Sequence, residues 1–140
     1  MDVPIQMTNR PVQVSRAITL LWLALILGLL SAISVYLEPM PPESEVPAWS
    51  LWLLLALVTV FWALLTYLIS RGHNWARITT LILTIASVVG HVTTLADSQT
   101  RGLLSPYIIV TDILLTLITL LAMYWLFTGH GAAWFRQLRS

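Results

Sequence analysis

The sequence predicts an all-α, polytopic membrane protein, with four transmembrane helices in an antiparallel bundle forming a single membrane domain over residues 1–140. Three observations predict it. Hydrophobic residues make up 58% of the chain and charged residues 9%, and mean hydropathy is +0.84. A soluble domain carries about 25% charged residues, so this chain could not cover a water-facing surface with polar groups. Four runs, Ala17–Leu37, Ala48–Ile69, Ile78–Ala96 and Tyr107–Phe127, reach the ~20 apolar residues that a ~30 Å hydrocarbon core demands. Finally, the chain has seven Arg and no Lys, and six of the seven fall at alternate ends of these runs. That distribution is what an even number of membrane crossings produces.

The elements follow in chain order. Residues 1–16 form a polar tail ending in Arg10 and Arg16. Helix 1 is expected at about 17–37. It is too long for a typical signal-peptide core and lacks a convincing A-x-A site, so it reads as a retained span. It carries Ala24, Gly28 and Ala32 at four-residue spacing. Small residues let helices approach closely in lipid, where there is no hydrophobic drive to associate. This row is therefore the expected packing face, within the monomer or across a dimer. The next segment, "EPMPPESEVP", is acidic, and its prolines favour extended backbone. It reads as a stiff connector, with a docking strip for a cation or partner as the other reading.

Helix 2 is expected at about 48–69, with Trp49 and Trp52 at its outer edge, as aromatic belts require. The turn "RGHNWAR" follows and holds Arg71 and Arg77. Helix 3 is expected at about 76–96, the loop "DSQTRGLLSP" carries Arg101, and helix 4 is expected at about 107–127. Residues 128–140 form a second tail with Trp134, Arg136 and Arg139. With only Arg101 on the far side, both tails are predicted to be cytoplasmic. A faint repeat pairs "RGHNWAR" with "GHGAAWFR" and "SRAITLL" with "ARITTLI". It suggests two repeated helical hairpins, although Trp and Arg also collect at inner interfaces without any duplication.

The candidate site lies on helices 3 and 4. Helix 3 carries Thr80, Thr84, Ser87, His91 and Thr94, and helix 4 carries Asp112, Thr116, Thr119 and Met123, each set at helical spacing and so on one face. In an antiparallel hairpin, facing residues share a constant index sum. His91 with Asp112, Ser87 with Thr116, Thr84 with Thr119 and Thr80 with Met123 all give 203. His91 then sits about six residues, or ~9 Å, inside its helix end, and Asp112 about five residues, or ~8 Å. Ionisable residues inside spans are costly, and they pair or line cavities. One reading is a hydrogen-bonded clamp holding the hairpin, ionic or neutral. The other is a protonatable or solute-binding site near the outer face.

Other chemistry is excluded or lacks support. Without cysteine there are no disulfides and no thiolate metal sites. A net charge of +1 gives no footprint for nucleic acid. No paired acids, nucleophile elbow, phosphate loop or metalloprotease pair is present, so no enzyme, metal or cofactor is expected. His73 and His130 read as solvated interfacial residues on the side away from His91.

"RPVQVSRAITLLWLALILGLL", "ISRGHNWARITTLIL" and "WLFTGHGAAWFRQLRS" together resemble an uncharacterised group of small four-span bacterial inner-membrane proteins. These share an RG-x-NWAR turn and a C-terminal LFT…WFR over nearly the whole chain. His73 stands where that group carries arginine. The resemblance implies a bacterial inner membrane and transfers no active residues. The expected role is a non-enzymatic accessory, regulatory or immunity-type protein that contacts the bilayer and another membrane protein or a second copy of itself. The alternative is an oligomeric small-solute or proton-coupled transporter or channel using His91 and Asp112.

Overall fold

The computed structural model describes residues 10–36, 47–96 and 106–137, without the side chains of Val35, Tyr36, Ala48, Thr94 and Leu95. Both interhelical loops at the Arg101 end therefore lie outside the described residues, together with Arg101, Arg139 and the prolines and glutamates of the first loop. So do the side chain of Thr94 and the first nine residues.

Five helices are present among the described residues: α1 (Val12–Tyr36), α2 (Ala48–Ser70), α3 (Asn74–Ala96), α4 (Pro106–Phe127) and α5 (Gly129–Gln137). No strand occurs among the described residues. The first four are long and apolar enough to cross a membrane, and the chain is a multi-pass, four-helix bundle. Large apolar side chains such as Leu57, Val60, Ile82 and Leu117 point outward, each more than half exposed. That suits a lipid solvent.

Sequence explains where the helices start and stop. Pro11 and Pro47 precede α1 and α2, where a missing N–H costs nothing. Ser50 closes the first turn of α2 through its backbone N–H and its hydroxyl, both donating to Pro47 O. At the end of α2, Gly72 has φ +85°. His73 N–H donates to Leu68 O and Gly72 N–H to Ile69 O, the paired bonds of a Schellman C-cap. Only glycine takes that conformation without strain. The "RGH" of the turn is thus a helix terminator that reverses the chain into α3. Gly129, the first glycine of the echo motif, also has positive φ (+52°) and opens α5 one residue after α4 ends. The two Gly-His pairs share a glycine of positive φ.

Each of the first four helices packs antiparallel on its sequence neighbour, and α4 closes the ring on α1, which is the most extensive pairing. The core is concentrated at one end. Val14, Ala17, Ile18 and Leu21 come from the first half of α1, Leu65 and Ile69 from the end of α2, Ala76 from the start of α3, and Ala122, Met123 and Leu126 from the end of α4. This is the end that holds Arg10, Arg16, Arg71, Arg77 and Arg136.

The structure differs from the sequence expectation at both tails. Helix α1 begins at Val12, so Val12–Arg16 are helical and Val14 is fully buried. Residues Gly129–Gln137 form α5, which packs back on the bundle through Gly131, Trp134 and Phe135. Trp134 is accordingly buried at 8% exposure, where a solvated tail was expected. Arg77 is buried at the same end. It is 9% exposed, and its guanidinium lies 4.3 Å from the Phe127 ring centre and 4.5 Å from that of Phe135. Its Nη1 donates to Leu126 O at 2.9 Å. A cation over two aromatic rings, bonded to a helix-end carbonyl, fastens α5 to α3 and α4.

Candidate functional site

Packing that is tight at the arginine end leaves the other half hollow. Every buried residue named above lies in the arginine-end half of its helix, and none of the described residues in the opposite halves is buried. Between the four helices lies a cavity of about 290 Å³. Its walls are mostly apolar: Leu21 and Leu25 from α1, Leu55, Val58 and Trp62 from α2, and Leu115 from α4. Its polar lining is Thr59 and Thr66 of α2, Thr84, Ser87 and His91 of α3, and Asp112, Thr116 and Thr119 of α4. The helical period sets this pattern. Residues three and four apart share a face, and on α3 and α4 that face is turned inward.

The predicted pair is brought together. His91 Nε2 lies 3.7 Å from Asp112 Oδ2. His91 is five residues from the end of α3 and Asp112 six from the start of α4, so their depths match. The separation exceeds hydrogen-bonding distance, and the side chains are 46% and 42% exposed. Both form part of the cavity rim away from the arginines. Asp112 is the only acidic side chain among the described residues.

The supporting stripe divides by depth. Thr80 and Thr84 are buried at 1% and 4% exposure, Thr80 within the core that also holds Met123, and Thr84 at the cavity floor. Ser87, Thr116 and Thr119 line the wall above. Four lining hydroxyls donate to carbonyls of their own helices: Thr59 to Leu55 O (2.7 Å), Thr66 to Trp62 O (2.9 Å), Thr84 to Thr80 O (2.8 Å) and Thr119 to Leu115 O (2.9 Å). These i−4 bonds let threonine sit in an apolar helix without an orphan donor.

The small-residue row of α1 faces the cavity and α4. Ala24 and Gly28 line the cavity. A Cβ at Gly28 would lie 3.7 Å from the Leu115 side chain, which is ordinary contact with a side chain and no backbone approach. Ala32, one turn further on, is half-buried. His73 and His130 are exposed and belong to the arginine end. His73 Nδ1 lies 3.3 Å from Leu68 O, within the helix cap. Among the described residues no three His, Cys, Asp or Glu side chains gather as a metal site.

Sequence reasoning missed the cavity floor. Below Thr66 and Thr84 the packed core intervenes, and α5 with the Arg77 sandwich covers it from the arginine end. The only sequence hint was the aromatic pair Phe127 and Phe135 near a second Gly-His. The arrangement is a cavity whose arginine end is filled by core, lined by aliphatic side chains and hydroxyls, with a carboxylate and an imidazole at its other end. No protein-family model matches the chain, and neither does any curated protein or solved structure.

Proposed function

We propose that this chain is a non-enzymatic accessory protein of a bacterial inner membrane that holds a small amphipathic ligand in a vestibule closed at one end. The observation that carries this reading is the asymmetry of the cavity: polar and half-exposed at the His91–Asp112 rim, filled with core at the arginine end. A cavity of about 290 Å³ is near the lower end of the ~300–1,000 Å³ usual for small-molecule pockets. The closed floor disfavours a continuous pore through one chain. The pair geometry favours a site over a clamp, because 3.7 Å without a hydrogen bond supplies little cohesion.

The same reading puts both termini in the cytoplasm. Arg10, Arg16, Arg71, Arg77 and Arg136 share one end of the bundle, and the positive-inside rule assigns that end to the cytoplasm. The vestibule then opens toward the periplasmic face. The likeness to the four-span group with the RG-x-NWAR turn supports a bacterial inner membrane. The bilayer is the permanent partner, and a second copy or another membrane protein is the expected protein partner.

A second reading, a proton-coupled or small-solute transporter, is favoured by one observation: an ionisable pair that adjoins a polar-lined cavity inside candidate spans. Reconstitution decides between them. Liposomes containing the purified protein and a pH-sensitive dye should show no proton or cation flux beyond protein-free vesicles. Flux that is abolished by Asp112→Asn would replace the accessory reading with the transporter.

A further inference from the structure

We infer that the ligand of the vestibule is a small amphiphilic amine, its ammonium held between Asp112 and His91 and its apolar body lying in the cavity beneath. This rests on the vestibule reading above and adds the chemistry of the occupant.

The first support is the polarity of the lining. Thr59, Thr66, Thr84 and Thr119 have already donated their hydroxyl protons to their own helices. A hydroxyl has one donor and two acceptor lone pairs, so these four present only acceptor capacity to the cavity. Asp112 adds a carboxylate, acceptor-only when ionised. Ser87, Thr116 and His91 add donors to the lining, but acceptors outnumber them, and the complement of that excess is a donor-bearing ligand.

Charge is the second support. The one acidic side chain among the described residues stands at the rim, while the described arginines gather at the opposite end. A carboxylate-bearing ligand would face Asp112 with like charge. An ammonium faces it with opposite charge and supplies three donors.

Geometry gives the third. Asp112 Oδ2 and His91 Nε2 are 3.7 Å apart, too far to bond to each other. A nitrogen ~2.8 Å from each, a normal charge-assisted distance, spans that gap and bonds both when Nε2 is unprotonated. The cavity below, about 290 Å³, equals roughly ten volumes of ~30 Å³, the share of one water in the liquid. That matches a chain or ring of about eight carbons on the amine, lying against Leu55, Trp62 and Leu115.

The test uses the full chain in nanodiscs of zwitterionic phospholipid, with photoreactive diazirine analogues of n-octylammonium, n-octanol and octanoate and mass-spectrometric mapping of the labelled residues. The amine probe should label Leu55, Trp62 or Leu115, and unlabelled n-octylammonium should compete about tenfold better than n-octanol or octanoate. Asp112→Asn should cut labelling about tenfold and Asp112→Glu should restore most of it. Leu115→Trp, which fills the cavity and leaves the pair intact, should abolish it. If Asp112→Asn fails to fold by circular dichroism and gel filtration, Asp112→Glu and Leu115→Trp carry the test. Equal competition by octanol or octanoate, or full labelling of a folded Asp112→Asn, overturns the amine assignment while leaving the vestibule in place. If none of the three probes labels a cavity residue, the vestibule reading itself falls, and the amine with it.

Discussion

Two glycines inside helices should respond to the same substitution with opposite signs. A Cβ on Gly131 of α5 would approach Trp125 O more closely than the 3.0 Å that real Cβ atoms keep, and would lie 3.3 Å from Leu126 O. The obstacle is backbone in the last turn of α4, so no flexible side chain can swing aside. A Cβ on Gly90 of α3 meets nothing within 4 Å. Replacing a helical glycine by alanine gains about 1 kcal/mol of intrinsic propensity. At Gly90 nothing opposes that gain, so Gly90→Ala should stabilise by about 0.5–1 kcal/mol. At Gly131, overpacking costs ~1–3 kcal/mol and the backbone obstacle puts the cost at the high end. Gly131→Ala should therefore destabilise the docking of α5 by about 1–2 kcal/mol net. Hydrogen exchange localises the effect: α5 amides should exchange roughly 5–30-fold faster, with the middle of α1 unchanged. Should Gly131→Ala protect α5 as well as glycine does, or stabilise the protein like Gly90→Ala, the close packing of α5 on α4 described here is wrong.

Three further outcomes follow from the same packing. Arg77→Met should destabilise by ~1–3 kcal/mol in detergent unfolding, because Leu126 O loses its donor and two rings lose a stacked cation; Arg77→Lys should recover less than half, since an ammonium cannot stack as a plane. A double-mutant cycle on His91→Ala and Asp112→Ala should give a coupling below ~1 kcal/mol, as expected for a half-exposed pair, and a value above ~2 kcal/mol would restore the clamp. Cysteines replacing Ser87 and Thr116 should crosslink readily in this cysteine-free chain, and a higher yield for Ser87 with Ile113 would show that the register of α3 on α4 is misread.

Much of this fold was legible because lipid imposes a simple constraint. A span needs a certain apolar length, and helices α1 to α4 announce themselves by it. The pairing of His91 with Asp112 was legible for a different reason. A hairpin has one index sum, and the polar residues of α3 and α4 agree on it. What stayed hidden depends on distance between helices, which periodicity does not encode. The row Ala24, Gly28, Ala32 names a face of α1, and nothing in it says whether that face meets a backbone or a cavity. Helix α5 was hidden because "GHGAAWFRQ" is short and holds two glycines. Alone it would not be a stable helix, and its order comes from burying Trp134 and Phe135. The burial of Arg77 was hidden too. Charge bias at membrane ends makes every arginine there look interfacial, while only tertiary structure shows two phenylalanines and a free carbonyl converging on one of them.

Sided accessibility shows whether the vestibule is entered only from the His91–Asp112 rim. Single cysteines replacing Ser87 and Thr116 would be treated with a membrane-impermeant thiol reagent in right-side-out spheroplasts and in inverted vesicles. Labelling of both should be rapid from the face of the His91–Asp112 rim, proposed to be periplasmic, and absent from the arginine-end face, where Arg77, Trp134 and Phe135 lie over the packed core. Labelling from the arginine-end face at a comparable rate, or from neither face, would contradict the account.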